Sequence, residues 1–146
     1  MNWKLITVAG GICLLVFSVW FYRIHPLSST VTIGSTKFVV ELAVTSGEKE
    51  KGLSYRTNLL PKHGMLFPYD HKERYDFWMK GMQFPLDFIW IADTTVVDIA
   101  KNIQPPDGTN LHVVQPRVPV DKILEINAGE VDAFGIKIGD TVTFNK

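Results

Sequence analysis

The feature that most constrains this chain is an apolar stretch near its N-terminus, residues 5–22, which contains no charged side chain. A helix of about 18 residues rises about 27 Å, close to the hydrocarbon thickness of a bilayer. Trp3 precedes the stretch, and Trp20 and Tyr22 lie at its far end, where aromatic rings fit the headgroup interfaces. We therefore predict one N-terminal transmembrane helix, with residues 1–23 as a membrane anchor or signal segment.

A cleavable signal peptide is the alternative interpretation, and it would release a secreted or periplasmic protein. Signal peptides end in small residues at the cleavage site, whereas bulky Trp20, Phe21 and Arg23 occupy that region here. A short tail containing Lys4 is easily retained in the cytoplasm while the rest is exported. We therefore predict a single-pass protein of the cell membrane whose globular domain is extracytoplasmic.

The remainder of the chain is predicted to form a linker, residues 24–30, and one globular domain, residues 31–146. The chain has 15 basic and 15 acidic residues and a formal net charge of zero. That balance argues against a nucleic-acid-binding protein. The single cysteine, Cys13, lies in the apolar stretch, so the globular domain can hold neither a disulfide nor a thiolate metal site.

Short β-branched and aromatic runs separated by turn residues dominate the globular domain. They predict two hairpins, 31–33 with 38–44 and 86–92 with 95–100, and further strands at 65–67, 75–80, 123–127 and 141–144. Short helices are predicted at 48–55 and 128–134. A polar loop is predicted at 68–74 and a long proline-rich surface loop at 105–119. The fold class is therefore α+β, a mainly antiparallel sheet or barrel with two short helices.

Several short motifs then occur in a fixed order: Glu48-Lys49-x-x-Gly52-Leu53-x-x-Arg56, Gly64-Met65-Leu66-Phe67, Phe77-Trp78-Met79-Lys80, Pro85-Leu86-Asp87, Leu124-Glu125-x-x-Ala128-Gly129 and Gly135-Ile136-x-x-Gly139-Asp140. Together they resemble the domain of unknown function 192 family, from about residue 31 to the C-terminus. The resemblance implies a small, β-rich, often exported domain without an established activity. This chain departs from the family pattern at Ser54, Gly81 and Met82.

Four charged residues and one tryptophan within these motifs are the candidate binding residues: Arg56, Trp78, Lys80, Asp87 and Glu125. Charges inside apolar strands need partners if they are buried. We hypothesise that the five converge on one polar pocket in which Trp78 supplies a stacking face. The alternative is a set of structural ion pairs and loop-anchoring hydrogen bonds.

The pocket hypothesis predicts a non-enzymatic, membrane-tethered domain that binds a small polar, saccharide-like ligand or an envelope partner without a cofactor. An envelope enzyme is the first alternative, in which Asp87 and Glu125 act as the acid and base of glycoside hydrolysis. A second alternative is a Met-rich copper-handling module formed by His63, Met65, Met79 and Met82, since thioethers suit Cu(I). Methionines in such strands are also ordinary core residues, and the scattered histidines do not predict a zinc site.

Overall fold

The computed structural model describes residues 29–108 and 113–145 of the 146-residue chain. The predicted membrane segment, and the linker up to residue 28, lie outside the described residues. Within the described ranges the strands are β1 Ser29–Ile33, β2 Thr36–Leu42, β3 His63–Glu73, β4 Phe77–Trp78, β5 Leu86–Ala92, β6 Thr95–Ile103, β7 Val113–Val114, β8 Val120–Asn127 and β9 Val142–Asn145. The helices are α1 Ser46–Lys51 and α2 Glu130–Ala133.

Both predicted hairpins are present. Strands β1 and β2 pair antiparallel across a turn at Gly34, whose φ is 58°. Strands β5 and β6 pair across a turn at Asp93, whose φ is 55°. Both turns need a residue with a left-handed backbone, a conformation that glycine adopts freely and aspartate tolerates. These turns could therefore be predicted from the local sequence.

Helix α1 begins with a capping box. The Thr45 side chain accepts a hydrogen bond from the Glu48 amide at 3.2 Å, and the Glu48 carboxylate accepts one from the Thr45 amide at 2.8 Å. These bonds satisfy amides that the first helical turn leaves without partners. Gly52 ends the helix with a φ of 49°, so α1 is shorter than the predicted 48–55.

The main sheet has seven strands within the described ranges, in the order β6-β5-β8-β3-β2-β1-β9. All neighbouring pairs are antiparallel except β2 with β3, which are parallel. The two edge strands meet at one end, where Thr95 bridges Thr141 and the Val142 amide donates to the Thr94 carbonyl at 2.8 Å. The sheet is therefore strongly curled, and the α+β prediction is confirmed.

Two segments differ from prediction. Residues 68–74, predicted to be a loop, mostly continue β3, which pairs with β8 as far as Glu73 after an irregularity. The predicted strand 75–80 is reduced to β4, which pairs with β7 in a separate two-stranded sheet. Strand β7 lies within the predicted loop 105–119. The secondary structure of these segments depends on pairing with strands distant in sequence, and local composition does not predict such pairing.

The two faces of the main sheet carry separate apolar clusters. The inner cluster contains Val31, Phe38, Ile89, Leu124 and Val131, with contributions from both edges of the sheet and from α2. The outer cluster contains Leu53, Phe67, Phe77, Phe88, Trp90 and Ile123, and it is covered by the turn after α1 and by β4. Because side chains alternate between faces along a strand, consecutive residues of β5 and β8 belong to different clusters.

Across residues 29–108 and 113–145, no helix has both the length and the apolar character needed to cross a bilayer.

Candidate functional site

A cavity of about 370 Å³ lies over the outer cluster, between α1 with its following turn and β4. Its volume falls within the range of small-molecule sites. Aromatic and other apolar side chains alternate with polar ones in its wall. Its lining includes Lys49, Phe67, Tyr69, Asp76, Trp78 and Glu125.

The two loops that form the mouth of the cavity are joined by hydrogen bonds. The Ser54 hydroxyl donates to the Lys80 carbonyl at 2.7 Å, and the Tyr55 amide donates to the Gly81 carbonyl at 2.8 Å. These bonds fix the turn after α1 against the segment after β4. The mouth is therefore held by hydrogen bonds within the protein and does not depend on a ligand to form.

Gly52 lets the main chain approach the floor of the cavity. A Cβ atom at this position would lie 3.5 Å from Phe67 Cζ and 3.9 Å from Glu125 Oε2. Together with its φ of 49°, this proximity explains why glycine suits the end of α1.

Glu125 is the most unusual group in the cavity. It lies in β8 opposite Met65 of β3 and Phe88 of β5, and its residue is only 5% exposed. Within residues 29–108 and 113–145, no group donates a hydrogen bond to its carboxyl. Burial raises the pKa of Glu125 to about 8, although the charge of Arg56 acts in the opposite direction. The carboxyl is therefore mainly protonated at neutral pH and can donate a hydrogen bond into the cavity.

Trp78 provides an open aromatic wall. Its neighbour Phe77 points into the outer cluster, where its ring packs edge-on against Phe67 at 5.0 Å and against Trp90 at 5.6 Å between centroids. Because neighbouring residues of a strand face opposite ways, this packing turns Trp78 outward, where it is 43% exposed. A large ring that lines a cavity and remains accessible offers a stacking surface to a ligand.

A second aromatic wall is formed by Tyr69, near the bulged part of β3. Its ring stacks on Tyr75 at 3.7 Å between centroids, and Lys49 Nζ lies 3.8 Å from its centre. Burial also raises the pKa of Tyr69, so its hydroxyl stays neutral. Tyr69 was not predicted from the sequence, because residues 68–74 were predicted to be a loop. A strand continued through these residues places Tyr69 on the same face as Phe67.

Arg56 lies in a neighbouring groove and not in the cavity itself. Its guanidinium forms two hydrogen bonds with the Glu41 carboxylate, at 2.5 and 2.8 Å. This pairing raises the pKa of Arg56 and lowers the pKa of Glu41. Gly52 lines both the groove and the cavity. Arg56 therefore influences Glu125 through its charge, while two of its N–H groups donate to Glu41.

Lys80 lies in a smaller cavity that adjoins the first one. Asp76, Trp78 and Lys80 are exposed while Phe77 and Met79 are buried, and Lys80 follows the end of β4. Lys80 lines a space of about 250 Å³ together with Trp78 and Tyr55.

Asp87 lies on the other face of the sheet. Its Oδ1 accepts a hydrogen bond from the Asn102 amide at 2.8 Å, and its Oδ2 accepts from the amides of Gly129 and Val131 at 2.9 and 3.0 Å. Gly129 is the N-cap of α2 and has no side chain with which to cap it. Asp87 therefore caps this helix from a neighbouring strand and takes no part in the cavity.

The predicted convergence of five residues is thus partly observed. Trp78 and Glu125 line one cavity, Lys80 and Arg56 lie beside it, and Asp87 is separated from it by the sheet. An acid–base pair of Asp87 and Glu125 on one substrate is therefore wrong, because the two residues are on opposite faces of the sheet and the Asp87 oxygens are occupied by backbone amides.

The methionines of the copper alternative lie in the outer cluster. Met65, Met79 and Met82 are all buried there, and the His63 Nδ1 atom lies 3.0 Å from the Pro61 carbonyl. In the part of the chain that the structure describes, no three or more His, Cys, Asp or Glu side chains are grouped to hold a metal ion. Copper handling by the thioethers stays an untested prediction.

Comparison with known proteins agrees with the motifs. A candidate transcription regulator of Sinorhizobium meliloti 1021 has a similar crystal structure, with 34% sequence identity and a TM-score of 0.74; the match covers 80% of this chain and 93% of that one. A protein of unknown function from Novosphingobium aromaticivorans DSM 12444 has 37% identity and a TM-score of 0.72, over 82% of this chain and 89% of that one. No match was found among the curated proteins. The sequence profile of DUF192, described as an uncharacterized ACR, matches residues 29–144, and the chain therefore belongs to the domain of unknown function 192 family.

Proposed function

We propose that the cavity beneath Trp78 binds a small, uncharged polar ligand of the saccharide type, and that Glu125 donates a hydrogen bond to it. The observation that carries this proposal is the Glu125 carboxyl, which lines the cavity on a residue only 5% exposed and accepts no hydrogen bond within residues 29–108 and 113–145. Its raised pKa of about 8 keeps it mainly protonated at neutral pH. Leaving such a group without a partner is unfavourable. A ligand carbonyl or hydroxyl would satisfy it.

The walls of the cavity support the same ligand class. Sugar rings present a face of C–H groups that suits the face of an exposed indole, and Trp78 supplies that face. Polar side chains at the rim, including Lys49 and Ser46, are available for hydroxyl groups. An N-acetylated sugar combines a stacking face, hydroxyl groups and an amide carbonyl that can accept from Glu125. N-acetylglucosamine is therefore the first probe.

The binding test uses calorimetric titration of the full-length chain with N-acetylglucosamine. At pH 6.5 we expect saturable binding, and at pH 9.5 an affinity lower by about tenfold or more, because the donor proton is lost above a pKa of about 8. Trp78→Ala should abolish binding at both pH values. It should cost far less stability than the about 3–5 kcal/mol expected for a tryptophan in a core, because this ring is partly exposed.

Two substitutions of Glu125 serve as matched controls. Glu125→Gln retains an N–H donor, so binding should persist and lose its dependence on pH. Glu125→Met keeps a similar shape without a donor, so binding should be lost while the fold is retained. Equal binding by all three proteins at pH 6.5 would contradict the proposed role of Glu125.

Glycoside hydrolysis is a second candidate function, supported by one observation. The Asp76 carboxylate lines the same cavity as Glu125, and Gln115 holds it with a hydrogen bond of 2.9 Å. A protonated carboxyl and a second acidic residue around one site are the elements of glycosidase chemistry. Incubation with a β-linked N-acetylglucosamine dimer separates the two functions, because a binding protein returns the dimer intact whereas an enzyme releases the monosaccharide.

For the whole chain, we propose a membrane-tethered protein whose ligand-binding domain lies outside the cytoplasm. The apolar stretch of residues 5–22 and the aromatic residues at its ends support this location. The full chain should stay in carbonate-washed membranes, and protease added to spheroplasts should digest its globular domain. The chain lacking residues 1–28 should be soluble and folded, because both apolar clusters lie beyond residue 28. Protection of the domain from added protease would contradict the proposed orientation.

A further inference from the structure

The second cavity, of about 250 Å³, shares part of its wall with the ligand cavity. Glu50, Lys51, Ser54 and Trp78 line both spaces. A molecule that stacks on Trp78 in the first cavity is therefore next to the second. Tyr55 and Lys80 line the second cavity and do not line the first. Substitutions of these two residues therefore test the second cavity separately.

Tyr55 has a backbone conformation that is unfavourable for a residue with a bulky side chain. Its φ is 65°, in the left-handed region that bulky side chains rarely adopt. The residue is 72% exposed, so burial does not compensate for the strain. Strained residues kept in place by their surroundings are enriched at ligand sites.

The surroundings that hold Tyr55 are the bonds across the mouth of the cavity. The Tyr55 amide is bound to the Gly81 carbonyl, and the adjacent Ser54 hydroxyl is bound to the Lys80 carbonyl. The ring itself lies over Gly81: a Cβ atom there would be 3.0 Å from Tyr55 Cε1 and 3.1 Å from Cζ. The absence of a side chain at position 81 therefore gives the tyrosine ring its place beside the cavity.

The charges of the second cavity are unbalanced. Lys51 and Lys80 supply two ammonium groups, against the single carboxylate of Glu50. Within residues 29–108 and 113–145, neither lysine takes part in a salt bridge. Two cations beside an exposed aromatic ring favour a ligand group with a negative charge and a flat apolar face.

We propose that the ligand is a linked saccharide of at least two units, whose neutral N-acetylated unit occupies the first cavity and whose acidic unit packs on Tyr55 beside Lys80. This inference rests on the proposed function of the first cavity. A single sugar would leave Tyr55 without a partner, and a wholly neutral dimer would not use Lys51 and Lys80. The carboxylate of the acidic unit is therefore the group that distinguishes the preferred ligand.

The test compares three probes by calorimetric titration of the full-length chain at pH 6.5 and low ionic strength. The probes are N-acetylglucosamine, its neutral β-linked dimer, and a dimer of N-acetylglucosamine with N-acetylmuramic acid. We expect the acidic dimer to bind about tenfold more tightly than the neutral dimer, and added salt to reduce this difference, because both lysines are near the surface.

Lys80→Gln should reduce the preference for the acidic dimer to about twofold, in keeping with the loss of one surface charge pair. It should leave binding of the monosaccharide unchanged. Lys37→Gln is the matched control, because it removes the same charge from an exposed lysine that lines neither cavity. It should not affect any probe.

Tyr55→Gly tests the ring separately from the charge. Glycine accepts a φ of 65° without strain, so the fold should persist. Both dimers should bind more weakly, while the acidic dimer keeps its advantage over the neutral one because Lys51 and Lys80 remain.

Two results would overturn the inference while leaving the first cavity intact. One is equal affinity of the unaltered chain for the acidic and neutral dimers. The other is an effect of Lys80→Gln no larger than that of Lys37→Gln. In both cases N-acetylglucosamine would still bind in a Trp78-dependent way. Failure of all three probes to bind would instead contradict the proposed function itself.

Discussion

Replacing Asp87 with alanine is expected to lower the free energy of unfolding by about 4 kcal/mol or more. The substitution leaves three backbone amides, those of Asn102, Gly129 and Val131, without their acceptors. A hydrogen bond to a charged group contributes about 1.5–3 kcal/mol, and an unsatisfied buried donor carries its own cost. Asp87→Asn should also be strongly destabilising, because one amide NH₂ group would meet N–H donors.

Urea denaturation of the chain lacking residues 1–28 measures this effect. Asp132→Ala is the matched control. Asp132 belongs to the same helix that Asp87 caps, and its ion pair with Lys101 is exposed on both sides. Surface pairs contribute at most about 1 kcal/mol. A loss for Asp87→Ala as small as that of the control would show that Asp87 does not hold α2 and β6 in place.

Replacing Glu125 with glutamine is expected to raise the free energy of unfolding relative to the unaltered protein, by an amount that grows as the pH rises. The folded state raises the pKa of Glu125 from 4.5 to about 8. Between these values the folded protein keeps a proton that the unfolded chain has released. The unaltered protein therefore loses stability as pH rises from about 4.5 to about 8, by about 1.4 kcal/mol per pH unit from this group.

Denaturation of both proteins at pH 5 and pH 8 isolates this group, because the other titrating residues are common to both. The unaltered chain should lose about 3.5 kcal/mol more than Glu125→Gln between the two pH values. Parallel losses in the two proteins would mean that Glu125 is ionised in the folded state at neutral pH.

The two buried acids show how far sequence could predict the site. Asp87 and Glu125 are both acidic residues in apolar strands, and sequence alone treats them alike. Alternation along each strand was predictable, but the relative orientation of β5 and β8 was not. A shift of one residue in pairing register would move Asp87 to the other face. The register places Asp87 opposite Ile126 and Glu125 opposite Phe88. Asp87 therefore caps α2 on one face of the sheet, and Glu125 lines the cavity on the other.

Some features of the fold depend on neighbouring residues, and others depend on segments distant in sequence. The hairpins at Gly34 and Asp93 depend on residues close in sequence, and they were predicted. The parallel pairing of β2 with β3 and the position of β8 between β3 and β5 depend on distant segments. No local signal reports such pairings, so the extension of β3 through polar residues was missed.

The cavity was predictable in its central members and not in its walls. Trp78 was expected to lie beside an acidic residue, and it lines one cavity with Glu125. The contribution of Tyr55 was not expected, because its left-handed backbone arises from bonds to the segment around Gly81. Such strain comes from tertiary structure and leaves no signature in the residue itself.

The most direct test of this account is a pH titration of the Glu125 side-chain carboxyl carbon by NMR, assigned by the loss of its signal in Glu125→Gln. We predict a midpoint of about 8, and a higher midpoint when the chain is saturated with N-acetylglucosamine, because the ligand would bind the protonated form. A midpoint near 4.5 that the sugar does not change would contradict both the buried protonated acid and the binding site built upon it.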